Sequence, residues 1–233
     1  MRRALTLGLG LFAAVFTLAV LPSAALAVQY TLNIDNCGNG GCGTPAGTVT
    51  TTQSGINDVL VSVTLSSGER YADGGNAFSG AFVFNLIGNP SIVVTGLPTG
   101  FNLLGLGTAG DLKEDGFGNF DYAIVCSSCQ GGQAGNPSGP LNFHVVGLSS
   151  VVTEASFVEL STVVSGQTQA LFAVDIVGLT GNTGAVGATT SVPEPGTLAL
   201  LGYGLVGLGA CTLRRFRGLP EPVNRNETVS SRV

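Results

Sequence analysis

Apolar and polar residues alternate with a period of two through the central part of the chain. In residues 59–65 every odd position carries valine or leucine, and Leu60, Ser62 and Thr64 stand between them. Residues 78–86 (FSGAFVFNL) place three phenylalanines, a glycine and a leucine on one face. Such alternation is typical of β-strands with one buried face. The same pattern predicts further strands at 30–34, 92–95, 119–125, 141–146 and 171–177.

Turn-forming residues separate these segments. Clusters of Gly, Asn, Asp and Pro occur at 73–76, 88–90, 98–100, 115–116 and 131–140. The best helical candidate of the central region is 153–160, about two turns. Short strands with Gly-rich turns predict an all-β fold, an antiparallel β-sandwich of jelly-roll-like type.

The C-terminal part has three features in a fixed order. Residues 197–213 contain no charged side chain, and as a helix they would span roughly 26 Å, enough for a thin bilayer core. Arginines at 214, 215 and 217 follow as a stop-transfer signal. Two prolines before the helix prevent it from extending backwards, so the preceding motif is predicted to be extended and accessible. That motif is Val192, Pro193, Glu194 and Pro195, and the stop-transfer residues are Arg214, Arg215 and Arg217.

This arrangement resembles the PEP-CTERM sorting signal of Gram-negative bacteria. The resemblance implies that an exosortase recognises the Pro-Glu-Pro motif, removes the helix and passes the protein to the cell surface or extracellular matrix. Before processing, the protein would be anchored in the inner membrane by that helix. One departure is the continuation at 218–233, because most such signals end within a few residues of the arginines.

A looser resemblance covers most of the central region. Blocks at 77–86, 116–122, 139–143 and 172–188 look like those of an uncharacterised β-domain subgroup of PEP-CTERM proteins. This likeness implies one β-domain and brings no activity with it.

The N-terminus carries the features of a secretory signal. Arg2 and Arg3 precede an apolar stretch at 4–21, and Ala25 and Ala27 frame a cleavage site. A permanent first-helix anchor is the weaker alternative, because Pro22 and the Ala-rich exit suit cleavage. The predicted partners here are signal peptidase and the secretion machinery. The predicted organisation is a signal peptide at 1–27, a β-domain at 28–188, a linker with the motif at 189–196, a transmembrane helix at 197–213 and a cytoplasmic tail at 214–233.

The predicted exported region is strongly acidic. Between residues 28 and 191 there are two basic side chains, Arg70 and Lys113, against eleven acidic ones, a formal charge of −9. This charge repels phosphate backbones and excludes nucleic-acid binding. Disorder would need low hydrophobicity with high charge, and the chain has neither.

Four cysteines form two pairs in Gly-rich and Ser-rich segments: Cys37 with Cys42, and Cys126 with Cys129. A four-cysteine zinc site and a redox dithiol are the alternatives to disulfides. Export to an oxidising compartment favours disulfides with local pairing, and cross-pairing stays open. Cys211 lies within the predicted membrane helix, as a small apolar packing residue.

An acidic segment is the one candidate for a metal site. Its oxygen-bearing residues suit calcium, but their spacing is not that of an EF-hand loop and Lys113 interrupts them. A solvated acidic turn is therefore favoured over a calcium site. The residues are Asp111, Glu114, Asp115, Asn119 and Asp121.

No catalytic site is predicted. His144 is the single histidine and should face outward beside Asn142, with no nucleophile elbow and no second histidine for a metal. We expect a non-enzymatic, exosortase-sorted protein with a structural or adhesive role in the exopolysaccharide matrix. A glycan-binding or ice-binding module is the first alternative, and a secreted hydrolase is the second.

Overall fold

The computed structural model describes residues 27–38, 41–74, 79–104, 110–129, 135–163 and 165–192, together with Leu205. Apart from Ala27 and Leu205, the predicted signal peptide at 1–27, the predicted membrane helix at 197–213 and the tail at 214–233 lie outside these residues. Within the described ranges, no helix is long and apolar enough to cross a membrane. The chain divides into two units, Met1–Val192 and Pro193–Val233.

The first unit is nearly all β, as the alternation predicted. Its described residues form fifteen strands and one short 3-10 helix, η1 (Glu154–Phe157). The strands are β1 (Ala27–Thr31), β2 (Ile34–Cys37), β3 (Gly47–Gly55), β4 (Asp58–Leu65), β5 (Arg70–Tyr71), β6 (Phe82–Phe84), β7 (Ile92–Thr95), β8 (Phe101–Leu104), β9 (Leu112–Glu114), β10 (Gly118–Phe120), β11 (Tyr122–Cys126), β12 (Leu141–Gly147), β13 (Phe172–Val177), β14 (Thr183–Ala188) and β15 (Ser191–Val192).

These strands form two large sheets and one hairpin. The six-stranded sheet has the order β15-β1-β3-β4-β12-β7. The seven-stranded sheet has the order β2-β14-β13-β6-β11-β8, and β5 also pairs with β13. The hairpin consists of β9 and β10. All strand pairings of the two sheets and the hairpin are antiparallel.

The inner faces of the two large sheets share one hydrophobic core. Phe82 of β6 meets Phe143 of β12 edge-on, with ring centroids 5.9 Å apart, and Phe172 of β13 meets Tyr30 of β1 at 4.7 Å. Each of these four side chains is at most 1% exposed. Burial of one such ring stabilises the fold by about 1.5–3 kcal/mol, so this aromatic layer holds the sheets together.

The seven-stranded sheet is covered on its outer face as well. Val83 of β6 and Ala173 of β13 pack there against Leu112, Phe117 and Phe120 of the β9–β10 hairpin. This second layer explains why residues 80–86 are buried at every position, although their alternation predicted one buried face.

Three predicted segments differ from the observed elements. The predicted strand 119–125 is interrupted at Asp121, whose N–H donates to the side-chain oxygen of Asn85 over 2.7 Å, so β10 and β11 join different sheets. The segment 30–34 is likewise divided between β1 and β2. The helical candidate 153–160 forms only the single turn η1.

Six strands lie where the sequence predicted none, namely β3, β5, β8, β9, β14 and β15. β3 is the longest described strand. The alternation of apolar and polar residues did not predict it, because threonines occupy positions 48, 50, 51 and 52 on both of its faces. The linker predicted at 189–196 contains β15 at Ser191–Val192, which pairs with β1 at the edge of the six-stranded sheet.

Candidate functional site

The first element of the sorting motif, Val192, ends the described part of the first unit. It forms β15 with Ser191, and these two residues pair with Gln29 and Tyr30 of β1. A proline at position 193 has no N–H to donate, so it cannot continue the ladder of hydrogen bonds. Pro193, Glu194 and Pro195 lie outside the described residues, as do the stop-transfer arginines at 214, 215 and 217.

The first cysteine pair is a disulfide between Cys37 and Cys42. The carboxylate of Asp35 accepts hydrogen bonds from the backbone N–H groups of Cys37 (2.9 Å), Cys42 (2.9 Å) and Gly43 (3.1 Å). Asp35 thereby organises the loop that the disulfide closes. It is a structural residue that the sequence did not single out.

The second pair is a disulfide between Cys126 and Cys129, so the predicted local pairing is confirmed. Asp73 accepts a hydrogen bond from the N–H of Cys126 over 2.8 Å. The buried Asn136 donates to the carbonyls of Tyr71 (2.9 Å) and Cys129 (3.0 Å). The disulfide therefore belongs to a hydrogen-bonded corner beside β5 and β11.

The two disulfides exclude zinc binding, one of the two alternatives that the cysteine spacing left open. Among the described residues, the one group of three or more metal-binding side chains with ligand atoms within 4.8 Å of one another is Asp35, Cys37 and Cys42. Both of those sulfurs are in a disulfide and have no thiolate to offer a metal. The four cysteines of the domain therefore form no zinc site.

The five residues of the predicted acidic site do not converge on one point. Asp121 accepts a hydrogen bond from the N–H of Gly110 over 2.6 Å, and Asp111 is exposed. Asn119 lies in β10, where its backbone exchanges hydrogen bonds with Thr162 (2.8 and 3.0 Å). Glu114 and Asp115 instead line a cavity on the other side of the hairpin.

This cavity has a volume of about 190 Å³ and lies between the β9–β10 hairpin and strands β13 and β14. Glu114 is only 4% exposed, and one of its oxygens, Oε2, has no hydrogen-bond partner. Asp175 of β13 also lines the cavity, with Gly74, Ser79 and Lys113 at its wall. The structure thus adds Asp175 to two of the predicted residues.

The cavity carboxyls bind protons more tightly than usual. Burial raises the pKa of Glu114 well above its ordinary value, and the carboxyls of Asp175, Asp115 and Asp73 raise it further. Burial, followed by Asp73 and Asp115, raises the pKa of Asp175 to about 7. Hydrogen bonds from the N–H groups of Ile176 and Gly74 oppose this rise. The cavity therefore brings together carboxyl groups whose ionised forms are disfavoured by burial and by their mutual repulsion.

The positions of Glu114 and Asp175 within their strands could have indicated this site from the sequence. Glu114 has the same parity in β9 as Leu112, and both are buried while Lys113 is exposed. Asp175 has the same parity in β13 as Ala173, which packs under the hairpin. An acidic residue at an apolar position of a strand indicates a buried carboxyl. The sequence could not predict that Glu114 and Asp175 line the same cavity, because this depends on how the hairpin folds over the sheet.

His144 lies on the outer face of β12, as predicted, and has a partner there. Its Nδ1 is 2.9 Å from Oδ1 of Asp58, and the two side chains are 38% and 34% exposed. Asp58 begins β4, which pairs with β12. An exposed contact of this kind contributes at most about 1 kcal/mol.

The same outer face carries the apolar side chains of Leu60, Val93 and Val146, and a row of uncharged polar residues crosses it. The strand register places Gln29, Thr50, Ser62 and Asn142 opposite one another across β1, β3, β4 and β12. The Ser62 hydroxyl donates to Oδ1 of Asn142 over 2.6 Å. Neighbouring strands lie about 4.8 Å apart, so the four side chains form a row of hydrogen-bonding groups.

Comparison with known proteins bears on the C-terminal part of the chain. The family model of the PEP-CTERM protein-sorting motif matches residues 191–215. No curated protein and no solved structure matches the chain. The matched segment includes the Pro-Glu-Pro motif, the apolar stretch and the first arginines. The chain therefore carries the PEP-CTERM sorting motif, which marks it as an exported substrate of an exosortase that is directed to the cell surface or the extracellular space.

Proposed function

We propose that the β-domain has a structural or adhesive role in the exopolysaccharide matrix, where the outer face of the six-stranded sheet binds polysaccharide. The observation that carries this proposal is the row formed by Gln29, Thr50, Ser62 and Asn142. Neutral polysaccharides present many hydroxyl groups and no charge. A row of uncharged donors and acceptors can hydrogen bond to them without the cost of desolvating an ion.

The supporting scaffold suits an exported protein. The two facing sheets with a shared core are consistent with an antiparallel sandwich of jelly-roll-like type, and two disulfides hold its loops. We further propose that the chain is held in the inner membrane by its C-terminal helix until the exosortase acts. Neither step requires an enzymatic activity of the domain itself.

The test is binding of the full chain to matrix polysaccharide, with release of reducing ends measured in the same samples. Thr50→Val with Ser62→Ala removes two hydroxyls from the row and should lower binding several-fold. Thr183→Val, at an exposed position of the other sheet, is the matched control and should bind as the wild type does. Binding without turnover supports the proposal. Release of reducing ends would favour a hydrolase. Equal binding by the wild type, the double variant and the control would exclude the row of polar residues as the binding site.

The same face supports a second candidate, an ice-binding surface. Thr48, Thr50 and Thr52 alternate along β3 and face outward together. Residues two positions apart in a strand are about 6.8 Å apart, so their hydroxyls repeat regularly. Thermal hysteresis of the purified chain, absent in Thr50→Val, would support this candidate. Its absence in the wild type would exclude it.

A further inference from the structure

We propose that the cavity between the β9–β10 hairpin and the seven-stranded sheet is a calcium site, held by the carboxylates of Glu114 and Asp175. This site is distinct from the polysaccharide-binding face, which belongs to the other sheet. It also differs from the acidic segment of the sequence, of which only Glu114 and Asp115 take part.

The buried oxygen of Glu114 is the observation that points to a ligand. Glu114 lines the cavity, its side chain is 4% exposed, and its Oε2 has no hydrogen-bond partner among the described residues. Its carboxyl does receive a hydrogen bond from the N–H of Gly80. Protonation alone would not satisfy Oε2, because the resulting O–H would still need an acceptor. A bound cation satisfies the oxygen and the charge together.

The surrounding oxygens face the same space. A Cβ added at Gly74 would come 3.6 Å from Oγ of Ser79 and 3.9 Å from Oδ2 of Asp175, and all three residues line the cavity. An alanine methyl group at position 74 would thus be in ordinary contact with both oxygens. The cavity has room for a cation with part of its water shell.

The chemistry of the lining selects the ion. Carboxylates, a hydroxyl and water are hard oxygen ligands, which exclude the metals that prefer sulfur or imidazole. No three carboxylates of this cavity bring their oxygens within 4.8 Å of one another. Calcium accepts six to eight oxygens in irregular geometry, waters included, whereas magnesium requires a near-ideal octahedron. Extracellular sites of this kind bind calcium with Kd of about 0.1–1 mM.

The experiment is calorimetric titration of the full chain with calcium chloride, together with thermal melts in calcium and in chelator. We expect one ion per chain and a melting temperature higher by about 3–6 °C at ten times Kd. Glu114→Gln and Asp175→Asn keep the side-chain shape and should each weaken binding at least tenfold. Asp111→Asn removes an exposed carboxylate of the same segment and should bind as the wild type does.

Several results would overturn the proposal. One is the absence of heat and of a melting shift up to 5 mM calcium, a concentration of about five times the weakest expected Kd. Another is an equal melting shift in sodium chloride of matched ionic strength, which would reduce the effect to screening. Unchanged affinity in both Glu114→Gln and Asp175→Asn would also overturn it. Folding of each variant is checked by its melt in chelator.

Discussion

The side-chain amide of Asn36, on β2, donates a hydrogen bond to the backbone carbonyl of Asp115 over 2.9 Å. This contact ties the turn of the β9–β10 hairpin to an edge strand of the seven-stranded sheet, across 79 positions of sequence. Gly116 follows with φ of +78°, and a Cβ there would overlap the Asn36 amide. The wall of the carboxylate cavity therefore depends on the close approach of these two segments.

Gly116→Ala should destabilise the domain by about 2 kcal/mol or more, because it combines a left-handed backbone with a steric overlap. The melting temperature should fall by about 4–8 °C. Gly181→Ala is the matched control, since Gly181 has φ of +80° and nothing within 4 Å of an added Cβ. Equal losses in the two variants would show that the approach of Asn36 imposes no additional constraint.

In chelator, stability should fall as the pH rises from 4 to 8. The pKa of Asp175 is raised from 3.8 to about 7 in the folded state, so the folded state binds the proton more tightly than the unfolded state does. This stabilisation is complete below pH 4 and is lost as the pH rises through 7. Glu69, whose pKa burial also raises to about 7, acts in the same direction. Melts across this range should have a smaller slope in Asp175→Asn, and an unchanged slope would contradict the assignment.

The four cysteines of the domain should be protected from alkylation in the exported protein. Each disulfide closes a short loop, and by chain entropy such a bridge contributes on the order of 2–3 kcal/mol. Mass analysis after alkylation without reduction should find no adduct at 37, 42, 126 or 129. Peptide mapping should recover the two local pairs, and cross-linked peptides joining Cys37 to Cys126 would contradict the structure.

Processing by the exosortase should occur near Pro195 and release a surface form that lacks residues 214–233. Changing Pro193, Glu194 and Pro195 together to alanine should leave the whole chain in the membrane fraction. The control is Thr190→Ala, just before β15, which should be processed normally. Intact mass of the surface protein decides this, and a surface form that retains Arg214 would refute the cleavage.

Sequence alone determined the export and sorting of the protein and most of its strands. The sorting signal is local, since it consists of a short motif, an apolar stretch and arginines in order, and the family model matches that segment. Strands β4, β7, β12 and β13 were predicted because their apolar residues alternate. The disulfides followed from the oxidising compartment, although local pairing stayed one of two options until the structure showed it.

Only the tertiary structure determined which residues lie on the same sheet face or line the same cavity. Glu114 and Asp175 are 61 positions apart by their numbers, and they meet only because the hairpin folds over the outer face of the seven-stranded sheet. The row from Gln29 to Asn142 likewise depends on the register of four strands, which alternation within each strand does not specify. Periodicity along one strand reports which side chains are buried. The partner of a buried carboxyl depends on long-range packing, and no local pattern records it.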